Sequence, residues 1–208
     1  MGTVADMTNT DAVPRWRGIN HLALVSHDMD ATVRFYVGVL GARLVATVGT
    51  PSFRHYFFEV GTGNTLAFFE YQNVEIDEWS KPAGIPIPQA AQFDHLSLDL
   101  VDEEALLALR DRLKAANCEV TDVVDHGFIK SIYFTDPSGI ALEASYWIVD
   151  PTGHAEISFD DRRLFGDGDP VPALRELRDT GALAHVPSTR LVDGYTDRPD
   201  DWVVRDRA

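Results

Sequence analysis

Two histidines and two glutamates occupy matched positions along this chain of 208 residues. His21 and His95 lie in apolar runs, Glu70 and Glu143 lie in later apolar runs, and nearly the same interval separates the members of each pair. A carboxylate inside an apolar strand is costly unless it is paired or bound to a metal. Because imidazole and carboxylate suit Zn(II), Fe(II), Mn(II), Ni(II) and Co(II), the pattern predicts one divalent metal site with these four ligands.

Taken one at a time, these residues have plainer explanations. A lone histidine in a strand is more often hydrogen-bonded in the core or at the surface, and a glutamate in an apolar strand is more often paired with an arginine. The metal hypothesis therefore depends on the repetition of the pairs and on the elements that carry them.

The first elements have the order β-α-β-β-β. Asp28 is typical of a helix N-cap and Gly41 of a helix C-terminus, which predicts a helix over Met29–Leu40 with Val33, Tyr36, Val37 and Leu40 on its buried face. Alternating apolar residues predict strands on either side of it, over residues 18–26, 42–48, 55–60 and 65–71.

The same order returns in the second half of the chain. Asp102 precedes a predicted helix from Glu103 to about Ala116. The predicted strands cover residues 93–100, 119–124, 130–135 and 140–147. An internal repeat of this length predicts two similar units, and equivalent strands then carry the two His–Glu pairs.

The expected fold is therefore α+β, with paired β-α-β-β-β modules whose curved sheets surround a metal-binding cleft. The corresponding organisation is a disordered leader (1–15), a first module (16–71), a Pro-rich linker (72–91), a second module (92–147) and a C-terminal extension (148–208). The extension is expected to form a cap, a lid over the cleft or a dimer contact. Within the extension, Pro172 and Gly181 bracket a predicted helix over residues 173–180.

Composition and net charge limit the classes of partner and the cellular location that we expect for this chain. The formal net charge of −15 argues against nucleic acid and anionic membranes, both of which need a basic face. Cys118 is the one cysteine of the chain, so an intrachain disulfide is excluded. The first residues lack an apolar signal segment, and no run reaches 18 apolar residues. A cytoplasmic protein is the expectation.

The residues that form these modules resemble the vicinal-oxygen-chelate superfamily. The resemblance covers residues 18–147 and rests on INHLALVSHDMDATVRFYVGVLGARL, LAFFEY, FDHLSLDL and IALEASYW. The superfamily includes glyoxalases, epimerases, fosfomycin- and bleomycin-resistance proteins and extradiol dioxygenases. It implies the four ligands proposed above, a substrate bound to the metal through two adjacent oxygens, and Lewis-acid chemistry.

The stretch from Val124 to Glu143, VDHGFIKSIYFTDPSGIALE, resembles the signature of the extradiol dioxygenases in particular. That resemblance implies Fe(II) held by His21, His95 and Glu143, and it implies catalytic roles beside the metal for His126 and Tyr133. Plainer alternatives are a solvent-exposed turn for His126 and core packing for Tyr133. The expected reaction is cleavage of a catechol-like or hydroquinone-like aromatic ring.

Glu70 favours a different reaction, because extradiol dioxygenases often have a histidine at its position. A glutamate there resembles the glyoxalase and epimerase pattern, in which four ligands hold Zn, Ni or Co and one carboxylate acts as a base. A drug-binding protein of the bleomycin-resistance kind is a third alternative. Since modules of this superfamily also pair between chains, a homodimer is expected.

Overall fold

The computed structural model describes residues 18–77, 79–86, 93–152 and 158–184. Residues Gly18–Asp150 form one compact unit, and the described residues after Asp150 belong to a second unit. The leader expected over residues 1–15 lies outside the described residues. Among the described residues, no helix has the length and hydrophobicity of a membrane span.

The first module contains a four-stranded sheet and one short helix. Its elements are β1 (His21–Val25), α1 (Met29–Val33), β2 (Arg43–Gly49), β3 (Phe53–Gly61) and β4 (Asn64–Tyr71). The strand order is β1-β4-β3-β2, with β1 parallel to β4 and the other neighbours antiparallel.

The second module repeats this topology. Its elements are β5 (Leu96–Asp99), α2 (Glu103–Ala115), β6 (Val124–Asp125), β7 (Ile129–Thr135) and β8 (Ala141–Trp147). The strand order is β5-β8-β7-β6, again with the first strand parallel to the last. The predicted α+β fold of paired β-α-β-β-β modules is confirmed.

Both helices begin with an aspartate N-cap. Asp28 and Asp102 have extended backbones, and each carboxylate accepts a hydrogen bond from the amide three residues later, at 3.1 Å from Ala31 and 2.9 Å from Ala105. A side-chain acceptor at the N-cap satisfies an amide that the helix itself leaves unpaired. The two N-caps were thus predicted correctly from residue type and position.

The first helix differs from its prediction, because α1 ends at Val33 and a π-helical segment continues it over Arg34–Val39. A π-helix has more residues per turn than an α-helix, so the buried face no longer follows the 3.6-residue period. Phe35 is buried, whereas Val37, which was predicted to be buried, is 38% exposed. Tyr36 is fully buried, as its spacing predicts.

A second difference concerns residues 119–124, which were predicted to form a strand. Here Val120 makes one bridge to Phe134, and β6 contains two residues. The hydroxyl of Thr121 accepts from the Tyr133 amide at 3.0 Å, and the Thr121 amide donates to the Tyr133 carbonyl. A side-chain hydroxyl that bonds to the backbone competes with a regular ladder, which explains the shortened strand.

The hydrophobic core lies on one side of each sheet, where the helices pack. It contains Phe58, Leu66 and Phe68 from the first sheet and Ile132, Phe134, Leu142 and Ala144 from the second, together with α1, α2 and the π-helical segment. Burial of each large side chain stabilises the fold by about 1.5–3 kcal/mol. Since strand side chains alternate between faces, each sheet also has an opposite face, called here the open face.

The two modules contact each other directly at the π-helical segment of the first module. The hydroxyl of Tyr36 donates to Asp136 Oδ2 at 3.3 Å, and Arg112 of α2 donates to the Gly38 and Val39 carbonyls at the end of the π-helical segment. Burial raises the pKa of the Asp136 carboxyl. These contacts join the two modules on their helix side.

The second unit contains α3 (Pro172–Thr180), which begins at the predicted proline. Gly181 follows it with φ of +73°, the left-handed conformation of a C-terminal glycine, so this helix prediction is confirmed. The role predicted for the extension, as a cap or a dimer contact, stays a prediction.

Candidate metal centre

A tight turn delivers the strand that carries Glu143. The Asp136 carboxylate accepts hydrogen bonds from the amides of Ser138 at 2.9 Å and Ile140 at 2.8 Å. Gly139 has φ of +82°, and a Cβ there would lie 2.9 Å from the Cβ of Ser80. Both the backbone conformation and the space therefore require glycine, and the turn predicted from Asp-Pro-Ser-Gly is present.

Strand register brings His95 to Glu143. Ser97 of β5 pairs with Glu143 of β8, so His95, two residues earlier, lies on the same face of the sheet. His95 Nε2 is 2.9 Å from Glu143 Oε2. The Glu143 side chain is 9% exposed and that of His95 is 27% exposed, so the pair is largely shielded from water.

Tyr133 and His126 extend this contact. Tyr133 lies directly opposite Glu143 on β7, and its hydroxyl donates to Glu143 Oε1 at 3.2 Å. His126, beside β6, places its Nε2 at 2.8 Å from the same hydroxyl. The structure therefore brings together four of the sequence-predicted residues on the open face of the second module.

The environment of this network shifts two pKa values. Burial raises the pKa of Tyr133, and the adjacent Glu143 carboxylate raises it further. Burial alone would also raise the pKa of Glu143, but the hydroxyls of Ser131 and Ser97 and the ring of His95 stabilise the carboxylate. The pKa of Glu143 therefore lies below its ordinary value. The site combines an ionised carboxylate with a protonated phenol.

Two further residues stand behind His95, and sequence reasoning did not single them out. Asp94 Oδ1 is 2.6 Å from His95 Nδ1, and Lys81 Nζ is 2.7 Å from Asp94 Oδ2. The His95 ring, followed by Lys81, holds the pKa of Asp94 well below its usual range. The adjacency of Asp94 to His95 was visible in the sequence, whereas Lys81 lies in the predicted linker.

His21 occupies the open face of the first module. It is exposed, its Nδ1 is 2.7 Å from Asn20 Oδ1, and its ring packs edge-on against Phe57 at 5.5 Å between centroids. Across the described residues, no three His, Cys, Asp or Glu side chains come close enough together to hold a metal ion. His21 therefore does not join His95 and Glu143 within the chain.

Glu70 lies on the opposite side of its sheet from His21. Its Oε1 accepts from the Met29 amide at the start of α1 at 3.0 Å, and its Oε2 pairs with Arg54, which is its cross-strand neighbour. The expectation that all four predicted ligands face one cleft is wrong for Glu70. Its carboxylate instead caps the helix.

Strand register explains this error. Ala23, two residues after His21, pairs with Ala67, just as Ser97, two residues after His95, pairs with Glu143. The residue of the first module that corresponds to Glu143 is therefore Ala67. Counting along the sequence led instead to Glu70, three residues beyond Ala67, and an odd displacement along a strand exchanges its faces. Two of these three residues reflect the longer segment between the first and last strands of the second module, and the third reflects the inexact match between the two His–Glu intervals.

His55 on β3 is a further histidine that sequence reasoning missed. Its ring stacks on Phe69 at 3.6 Å and lies 6.4 Å from His21 between centroids, on the same open face. Its Nε2 is buried and has no hydrogen-bond partner among the described residues. Burial, with a contribution from His21, lowers the pKa of His55 to about 4, so the ring is neutral near pH 7.

The donor chemistry at His95 and Glu143 fits a divalent cation. An imidazole nitrogen and a carboxylate oxygen lie side by side, and the other ring nitrogen is bound to a carboxylate, which is the usual support of a metal-ligating histidine. Two donors are fewer than the three protein ligands of common catalytic sites. The second module thus carries two of the donors that such a metal centre would need.

The family of the chain follows from a match to residues 18–144 of the model described as the Glyoxalase/Bleomycin resistance protein/Dioxygenase superfamily. The chain belongs to this superfamily, whose members have the vicinal-oxygen-chelate fold found here and generally use divalent metals. Among curated proteins, none matches this chain.

Several solved structures are similar to this chain. A glyoxylase/bleomycin resistance protein/dioxygenase domain from Frankia sp. EAN1pec is 22% identical, covers 67% of this chain and 96% of its own, and has a TM-score of 0.56. A lactoylglutathione lyase from Agrobacterium tumefaciens is 24% identical with 64% and 96% coverage and a TM-score of 0.47. A fosfomycin resistance protein from Listeria monocytogenes is 20% identical with 62% and 92% coverage and a TM-score of 0.46. The first likeness shows the fold alone, and the other two carry no argument.

Proposed function

We propose that this protein is a metal-dependent dioxygenase of the extradiol type, which cleaves a catechol-like or hydroquinone-like aromatic ring with molecular oxygen. One observation carries the proposal: Glu143 lies between His95 and the Tyr133–His126 pair. The corresponding position of the first module is Ala67, which has no donor. Of the four predicted ligands, the open faces therefore carry one carboxylate and two imidazoles, Glu143, His21 and His95, rather than a symmetric set of four.

The residues proposed to hold the metal are His21, His95 and Glu143. Two histidines and one carboxylate are the facial set typical of non-haem Fe(II) oxygenases. A cation bound there would act as a Lewis acid toward two adjacent substrate oxygens. Asp94 would keep His95 oriented for this role, because it occupies the ring nitrogen on the far side.

The proposed site is completed by a second copy of the chain. His21 is exposed on the first module's open face, whereas His95 and Glu143 lie on the second module's open face, and the three do not converge within one chain. In a homodimer that apposes these two faces, His21 of the partner subunit would supply the third donor. This arrangement also covers the half-buried rings of Phe57 and Phe69.

Tyr133 and His126 are proposed to move the substrate proton. The Tyr133 hydroxyl is bonded both to the Glu143 carboxylate and to His126, and His126 is exposed. A phenol in this position can donate a hydrogen bond to a substrate oxygen and exchange its proton through the imidazole with water. Phe57 and Phe69, which flank the histidines of the first module, would provide an apolar wall for an aromatic ring.

The alternative, a glyoxalase- or epimerase-type reaction with Zn, Ni or Co, rested on Glu70 as fourth ligand and base. Because Glu70 caps α1 on the other side of the sheet, this alternative loses its supporting residue. A metal-free drug-binding protein is the third possibility. All three are separated by one set of assays.

Oxygen uptake is the direct test. Protein loaded anaerobically with Fe(II) is mixed with a panel of catechols and hydroquinones, and we expect stoichiometric oxygen consumption with a yellow ring-cleavage product. Turnover of a 2-oxoaldehyde adduct or an α-hydroxy thioester under argon, without oxygen uptake, would support the lyase or epimerase. Tight binding without any turnover would support the drug-binding protein.

Subunit complementation tests the shared site. His21→Ala and Glu143→Ala are each expected to be inactive, and the two variants are unfolded together, refolded as a mixture and assayed. If each site uses His21 from the partner, half of the dimers are mixed and carry one intact site, so about one quarter of the activity returns. If each site lies within one chain, no mixed dimer has an intact site and no activity returns.

A further inference from the structure

We infer that the segment between the modules supports the metal centre: Lys81 and Asp94 act as positioning residues that fix the orientation of His95. The inference rests on the proposed function in that it treats His95 as a metal ligand. It assigns a role to a linker lysine and to an aspartate that precedes the strand, neither of which is among the ligand candidates.

Lys81 is the first reason for this inference. Its side chain is 4% exposed, although it lies in a stretch without helix or strand. Lysine is almost never fully buried unless it is paired, because removal of the ammonium from water costs several kcal/mol. Lys81 Nζ donates to Asp94 Oδ2 at 2.7 Å and to the Pro82 carbonyl at 3.0 Å. The buried ammonium is therefore committed to Asp94.

Asp94 uses both of its oxygens in fixed contacts. Oδ2 accepts from Lys81, while Oδ1 accepts from the Gly84 amide at 2.8 Å and lies 2.6 Å from His95 Nδ1. The carboxylate is 51% exposed, so without these partners it would be free to rotate into water. Lys81 and the backbone of Gly84 together hold it against the imidazole.

The consequence for His95 follows from its two nitrogens. With Nδ1 bonded to Asp94, Nε2 is the ring nitrogen that faces Glu143, at 2.9 Å, and a metal ion bound there would replace the proton that Nε2 shares with the Glu143 carboxylate. A carboxylate behind a histidine fixes its tautomer and ring orientation and raises its basicity toward a metal. Lys81 acts on His95 through Asp94, since it has no contact with the ring among the described hydrogen bonds.

The experiment compares Asp94→Asn, Asp94→Ala and Lys81→Met with Lys130→Met, a matched lysine that pairs with Glu103 away from the centre. The first measurement, on metal-free protein, is the proton on His95 Nδ1 observed by ¹H–¹⁵N NMR. We expect a downfield, slowly exchanging resonance in the wild type and in Lys130→Met. It should weaken in Lys81→Met and disappear in Asp94→Ala.

The second measurement is affinity for Co(II), a spectroscopic probe, by competition with a chelator. Loss of the carboxylate behind a ligating histidine typically weakens binding by about 10–100-fold, which is the expectation for Asp94→Ala. Lys81→Met should weaken binding less, and Lys81→Arg should restore most of the loss. Because Lys81 acts through Asp94, adding Lys81→Met to Asp94→Asn should produce no further loss. Asp94→Asn with Lys81→Met also avoids an unpaired buried charge if Asp94→Ala does not fold.

Two outcomes overturn the inference. One is an unchanged Nδ1 resonance in both Asp94 variants, and the other is a loss of Co(II) affinity from Lys81→Met that is as large in the Asp94→Asn background as alone. If the wild type binds no divalent metal, the proposed function fails, but the Nδ1 resonance still decides whether Asp94 and Lys81 orient His95.

Discussion

The two modules share a topology and differ in what their open faces carry. In the second module, His95, Glu143, Tyr133 and His126 form one hydrogen-bonded network. In the first module, His21 and His55 lie among Phe57 and Phe69, and Ala67 occupies the position equivalent to Glu143.

This difference shows that two modules with the same topology can carry different functional side chains. Both copies keep an aspartate N-cap, a parallel pairing of first and last strands and a histidine at the start of the first strand's open face. The carboxylate of Glu143 lies on the open face of the second module, and the equivalent residue of the first module is Ala67. Contacts with Ser131, His95 and Ser97 favour the charged form of Glu143. In the proposed site, one module would therefore provide the charged donors and the proton relay, and the other would provide an imidazole and an apolar wall.

The largest expected loss of metal binding and turnover follows from substitution of Glu143, the residue by which the two modules differ most. Glu143→Ala removes the one carboxylate of the proposed ligand set, and we expect metal affinity and turnover to fall by at least about 100-fold, more than for loss of a supporting residue. Metal content after gel filtration and initial rates provide the measurement. Glu70→Gln is the matched control, and full metal binding by Glu143→Ala would contradict the assignment.

A smaller loss of turnover is expected when the Tyr133 hydroxyl is removed and the proposed metal ligands are left in place. Tyr133→Phe removes the hydroxyl between His126 and Glu143, and we expect kcat to fall by about 100-fold, in the range of general acid–base catalysis, with metal affinity nearly unchanged. Tyr71→Phe, on the open face of the first module, is the control and should retain activity. Equal kcat for Tyr133→Phe and wild type would reduce Tyr133 to a packing residue.

Much of the fold of the two modules was predictable from the sequence. Strand alternation, the aspartate N-caps and the Asp-Pro-Ser-Gly turn are local signals, and local signals located β8 and Glu143 correctly. The pairing of Tyr133 with Glu143 lies within the same hairpin, although the resemblance implied only a role for Tyr133 beside the metal. These predictions succeeded because each depends on residues close together in the chain.

The errors share a different cause. The face on which Glu70 lies depends on the pairing of β1 with β4 across more than 40 intervening residues, and a slip of one residue exchanges the two faces. The burial of Phe35 instead of Val37 depends on a π-helical segment whose period differs from 3.6 residues. Lys81 gave no sequence signal, because its burial results from tertiary contact with Asp94.

Lowering the pH should destabilise the protein through His55, on the open face of the first module, and not through the exposed His126 of the second. The pKa of His55 is lowered from 6.5 to about 4, so stability that the neutral ring provides above pH 6.5 is progressively lost as the pH falls toward 4. Because the ring is only partly buried, screening reduces the effect to on the order of 1 kcal/mol.

Urea unfolding of wild type and His55→Phe at pH 7 and pH 5 measures this effect. The variant should lose less stability than the wild type over this interval, since it has no ring to protonate at this position. His126→Gln, which removes an exposed histidine of the second module, should follow the wild type. A wild type and His55→Phe with parallel pH dependence would contradict the lowered pKa.

The smallest effect is expected at Glu70, where the two candidate roles predict opposite results. As a helix cap, Glu70 accepts from the Met29 amide, so Glu70→Ala should cost about 1 kcal/mol of stability, or a fall in Tm of about 2–4 °C for a chain of this size. Glu70→Gln should cost less, because its amide oxygen can still accept that bond. Arg54→Gln should have little effect, since Arg54 forms a half-exposed ion pair. Metal content should stay at the wild-type level in all three variants, whereas a metal-depleted but folded Glu70→Ala would return Glu70 to the ligand set and restore the symmetric site.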